Sequence, residues 1–65
     1  MRYALQYAEQ FPGKPKVWVT IRRHATFDAA LENYRLEIGL GDVSEAHARY
    51  SLKTDSCTRI VALVV

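Results

Sequence analysis

The sequence predicts an α+β fold in the order β-β-α-β-β, one helix packed on one face of a four-stranded, largely antiparallel sheet. Three observations predict it: two front segments that alternate with period two, a central segment whose apolar residues recur at helical spacing, and an apolar run after a turn-rich tetrad. In the first segment Tyr3, Leu5 and Tyr7 alternate with Arg2, Ala4, Gln6 and Ala8, which suits a half-buried strand over 2–9. Phe11-Pro12-Gly13-Lys14-Pro15-Lys16 denies the backbone a regular ladder and reverses the chain. A second strand follows, with Val17, Val19 and Ile21 toward the core and Trp18, Thr20 and Arg22 turned the other way.

Thr26 is an N-cap by type and Asp28 falls in the first turn, where the helix dipole favours an acid. Phe27, Ala30, Leu31, Tyr34 and Ile38 then recur at helical spacing, which predicts a helix over 27–38 ended by Gly39-Leu40-Gly41. Asp42-Val43-Ser44-Glu45 is a second, weaker helix start, enough for one turn at 43–47. Tyr50 and Leu52 alternate with Arg49, Ser51 and Lys53, which reads as a third strand. Thr54-Asp55-Ser56-Cys57 has turn composition, and Thr58 to Val65 is apolar on both faces beyond Arg59, the pattern of a central strand.

With 65 residues the chain is a single domain, 1–65, and hydrophobic residues at 49% with charged ones at 25% exclude a disordered or collagen-like polymer. The longest apolar run, Ile60 to Val65, is far short of the roughly 20 residues a membrane helix needs, so no membrane partner is expected. The opening Met1-Arg2-Tyr3-Ala4-Leu5-Gln6 holds no apolar stretch of the secretory kind, and a cytoplasmic location is the expectation. Cys57 is the one cysteine, so neither an intrachain disulfide nor a cysteine-based zinc site is available. A chain this short without staples gains burial from a regular core or from self-association, which makes a homodimer one expectation.

Charge is unevenly spread although the net value is only +2. Residues 1–27 carry five basic side chains against one acidic, 28–46 one against five, and 47–65 three against one. The sheet is therefore basic and the helix acidic. Such a division serves solubility on many surfaces. It also allows two functional readings. Lys14, Lys16, Arg22 and Arg23 flank Trp18 on one hairpin and suit phosphate contacts with strands in a major groove. Alternatively Asp28, Glu32, Glu37, Asp42 and Glu45 present an acidic surface to a basic partner protein.

Little in the sequence points to catalysis. Cys57 with His24 or His47 is the one nucleophile-and-base set by type, and its spacing matches no known arrangement. No helical His pair, phosphate loop or dinucleotide fingerprint occurs, so neither a metal nor a cofactor is expected. Asp28 and Glu32 lie one turn apart on the helix, where a solvated pair is the ordinary outcome.

Tyr3-x-Leu5-x-Tyr7, Trp18-Val19-Thr20, Thr26-Phe27-Asp28-x-Ala30-Leu31 and Arg59-Ile60-Val61, in that order, resemble small phage- or prophage-encoded accessory proteins of unassigned function. That resemblance spans nearly the whole chain and implies a docking role in the host cytoplasm. The front half, a basic hairpin and a helix opening with Thr-Phe, is also similar to the arm-binding domains of phage-type integrases. That likeness implies DNA contacts from Lys14, Lys16, Arg22 and Arg23 with Trp18 beside them. It departs from the pattern in its C-terminal segment and its acidic helix. The expectation is a non-enzymatic binding module. A protein partner would be held by Trp18, Thr20, Arg22 and Arg23; the alternative is DNA held by the hairpin over 14–23.

Overall fold

The structure is a computed structural model that describes residues 1–64. Its elements run β1 (Arg2–Glu9), β2 (Val17–His24), α1 (Phe27–Glu37), α2 (Glu45–Thr54) and β3 (Thr58–Leu63). The class is α+β, as expected, but the sheet has three antiparallel strands in the order β2-β1-β3 and carries two helices. Two expectations are thereby corrected. The segment around Tyr50 and Leu52 is helix rather than a third strand, and the last strand is an edge while β1 takes the centre. Val65, at the end of the expected last strand, lies outside the described residues.

The strand reading of 50–53 rested on two alternating apolar positions, and the helix rests on more. Ser44 caps α2, its side chain accepting a hydrogen bond from the His47 N–H at 3.1 Å, and Glu45 and Lys53 sit at the ends the dipole favours. Ala46, Ala48, Arg49, Leu52 and Lys53 all have high helix propensity. The helix buries Ala48 and half-buries Leu52, and leaves Tyr50 exposed. The start at Ser44 was legible, but it launches ten residues and not one turn.

The expected α1 is present over Phe27–Glu37, with Ile38 as its C-cap. Thr26 caps it, accepting from the Ala29 N–H at 3.1 Å. At the other end Gly39 takes φ +74°, its N–H reaches the Leu36 carbonyl, and the Leu40 N–H reaches Arg35 at 2.9 Å. These two bonds form a Schellman cap, which turns Leu40 back onto the core. Arg35 then clips the connection to α2, donating to the carbonyls of Gly41 and Val43 at 2.8 and 2.7 Å.

Both helices lie on one side of the sheet. Leu5, Leu31, Tyr34 and Ala48 form the buried centre, with Phe27, Leu40, Val43, Leu52 and Ile60 packed around it. Side chains paired across antiparallel strands share a face. Tyr3, Leu5 and Tyr7 therefore point to the helix side with their partners on β3, Ala62, Ile60 and Thr58. The helices cover one end of that side. Tyr3 meets the Phe27 ring edge to face at 5.9 Å, and His24 bonds Asn33 at 2.9 Å. Val17 beside the hairpin loop and Ile21 in the middle of β2 are exposed, so the β-branched row of β2 is only partly core.

Candidate nucleic-acid interface

The other face of the sheet has no helix over it. Ala4, Gln6 and Ala8 of β1 lie there, flanked by Trp18, Thr20 and Arg23 on β2 and by Arg59, Val61 and Leu63 on β3. A β-bulge decides which arginines belong to this face. Leu5 pairs with Arg22 and Gln6 with Thr20, so Ile21 is an extra residue in β2. Strict alternation would put Trp18, Thr20 and Arg22 together. The bulge instead sets Arg22 opposite Leu5, toward the helix side, and brings Arg23, opposite Ala4, into line with Trp18 and Thr20.

A polar chain crosses all three strands on the open face. Gln6 donates from Nε2 to Thr20 Oγ1 at 3.2 Å and accepts from Arg59 Nε at 2.8 Å. The Arg59 guanidinium lies over the Trp18 ring, 4.0 Å from its centroid, which returns the chain to β2. Lys16 approaches the same ring with its ammonium at 5.6 Å and donates to the Ser56 carbonyl at 3.3 Å. Alanine at positions 4 and 8 of the central strand keeps the middle of the face low. Ala8 stands directly opposite Trp18, where a larger side chain would lift the indole.

Of the expected site residues, Trp18, Thr20, Arg23 and Lys16 come together here. Arg22 faces the other way, and Lys14 is on the exposed loop before β2. Gln6 and Arg59 belong to the array and were not singled out from the sequence. Arg59 did carry a signal, being the one charge in an otherwise apolar run. Its meeting with Trp18 depends on β1 standing between β2 and β3, a long-range pairing that no local pattern encodes.

The electrostatics of the two layers are distinct. The ion pairs among the described residues all lie on the helix side: Arg35 with Glu32 at 2.8 Å, and Arg49 with Asp28 at 2.9 Å and Glu45 at 2.6 Å. Arg49 also rests over Phe27, 4.8 Å from the ring centroid. Asp28 and Glu32, the expected solvated pair, are thus each engaged by an arginine. On the open face Arg2, Arg23 and Arg59, with Lys16 at its border, have no carboxylate partner among the described residues, and no strand residue of that face is acidic.

Cys57 is exposed beside the turn at Asp55, and among the described residues no cluster of His, Cys, Asp and Glu is placed to hold a metal ion. No described helix is long and apolar enough to cross a membrane. No protein family, curated protein or solved structure matches the chain.

Proposed function

We propose that the protein is a non-enzymatic binding module that docks on duplex DNA through the open face of its sheet. The observation that carries this reading is the segregation of charge. Arg2, Lys16, Arg23 and Arg59 stand on or beside one uncovered face, with no acid among its strand residues, while Arg35 and Arg49 of the two helices are paired with acids. Three strands at about 4.8 Å spacing span about 10 Å, which matches a major groove about 12 Å wide. Gln6 and Thr20 at the centre supply the hydrogen-bonding groups that read base edges, and the cations around them suit phosphates. The likeness of the front half to integrase arm-binding domains agrees with this use of the sheet.

Arg22 and Arg23 make a sharp test, because adjacent residues of equal charge lie on opposite faces. Arg23→Glu should lower affinity for mixed-sequence duplex DNA about tenfold or more at low salt, and Arg22→Glu should lower it no more than about threefold. Fluorescence anisotropy measures both, with circular dichroism as the check on folding. Equal losses, or none, would remove the open face from the reading. With four cations at phosphates the log–log salt slope is about −3.6.

A protein partner on the same face is the second reading, favoured by the half-buried Val61 and Leu63 beside the array. It places Trp18 at the centre of the contact, with Thr20 and Arg23 at the rim. Its signature is a flat DNA titration even at low salt.

A further inference from the structure

We propose that the helix-side face of the β1–β2 arm, where the helices leave it uncovered, is the interface of a twofold homodimer. Four apolar side chains of the arm and its loop are exposed: Tyr7 by 40%, Phe11 by 58%, Val17 by 56% and Ile21 by 37%. Tyr7 pairs with Val19, and both point away from the Trp18 face. The strand part of the patch, Tyr7 with Val17, is therefore separate from the basic array, and the inference does not depend on what that array binds.

The occupant is argued from surface and shape. A compact monomer of 7.4 kDa exposes about 4,200 Å² by the usual scaling with mass. This chain exposes 4708 Å². The excess of about 500 Å² is spread over the whole chain, Met1, Leu36, Tyr50 and Val64 included, and a standard stable interface buries roughly 800 Å² from each partner. The radius of gyration, 12.2 Å, exceeds the roughly 10.7 Å expected for a compact 65-residue domain. The principal extents of 37 × 28 × 16 Å describe a thin slab.

The core on its own is small. Tyr34 and Leu5 are its largest fully buried side chains, and the lone cysteine forms no intrachain staple. A second copy supplies the missing burial, and a twofold axis closes the assembly because each patch covers the other. The charges suit that symmetry. Glu9, opposite Val17, and Arg22, opposite Leu5, lie on this side one pair to either side of Tyr7 and Val19 and are opposite in sign, so an antiparallel meeting of two arms centred there sets Glu9 of one copy toward the Arg22 end of the other.

Sedimentation equilibrium from about 1 µM to about 500 µM reads the association directly, since the mass rises toward twice 7.4 kDa if the dimer forms. The melting temperature of the wild-type chain should rise over the same range. Val17→Lys with Ile21→Lys, both at exposed positions of an edge strand, should keep the circular dichroism spectrum and sediment as a monomer throughout. Amide shifts of the wild-type chain on dilution provide an independent map that needs no variant. Changes confined to residues 7–21 support the interface. A wild-type monomer at the highest concentration overturns the dimer and leaves the patch to a different partner. A dimer that persists in the folded double variant, or dilution shifts centred on the helices or on Trp18 and Arg59, overturns the location.

Discussion

Tyr34 and Asp55 join three elements through one pair of side chains. The buried Tyr34 hydroxyl meets Ser51 Oγ of α2 at 3.0 Å and donates to Asp55 Oδ2 at 3.2 Å. The other carboxylate oxygen of Asp55 accepts from the N–H groups of Cys57 and Thr58 at 2.7 and 3.1 Å, the local turn that starts β3. Burial raises the pKa of the Tyr34 hydroxyl above its ordinary 10.0; the bond to Ser51 acts against this, and the charge and hydrogen bond of Asp55 add to it. Above about pH 10 the unfolded chain ionises this phenol while the folded chain keeps the proton. The stability from this group is thus complete below the ordinary pKa and is lost as the pH rises through the raised one. Tyr34→Phe should cost about 1 kcal/mol near neutrality, by urea denaturation, and flatten the alkaline loss. An unchanged alkaline slope in the variant would show that other groups set it. That Tyr34 belongs to the core was legible from its place on the helical stripe. Its hydrogen-bond partners were not, because they lie 17 and 21 residues away.

At the scale of elements, what the sequence made legible was local, and what it hid was pairing. The cap at Thr26, the acid at Asp28 and the glycine stop at Gly39 each act within a few residues of their own position, and α1 follows from them. In α2 a local signal was outweighed by two alternating positions, Tyr50 and Leu52, although the exposed Tyr50 has no core face to serve. The bulge at Ile21 had no signal in composition, since it reflects how β2 registers on β1, and it moves Arg22 away from Trp18. The connection between the helices is held chiefly by Arg35, which spans Glu32, Gly41 and Val43 with a forked head. Arg35→Lys keeps the charge but loses the fork, so it should destabilise the fold by about 1–2 kcal/mol. Ser44→Ala removes the cap of α2 and should cost about 1 kcal/mol. Chemical denaturation of both variants tests this, and a neutral Arg35→Lys would mean that the Schellman cap at Gly39 holds the turn without help.

Across the whole molecule, charge is sorted by layer, and that sorting bears on how a polyanion approaches. Glu37 and Asp42 lie at the C-terminal end of α1 and in the loop after it, and no ion pair neutralises either among the described residues. With the acids of the paired sites they give the helix side a negative field that turns it away from phosphate, so in the proposed DNA complex the basic sheet face leads the encounter. Glu37→Gln with Asp42→Asn removes two of these charges and disturbs none of the ion pairs among the described residues. Affinity for duplex DNA should rise a few-fold at low salt. The gain should fade near physiological salt, where the Debye length falls to about 8 Å. The salt slope should stay nearly unchanged, because the proposed complex keeps the same number of phosphates at the open face. Loss of Arg23 should instead lower the slope by about one. The two variants thus separate a field that orients the protein from a contact that binds. A steeper slope in the acid-neutralised variant would mean that the helix side itself meets DNA, and would overturn the single-face orientation.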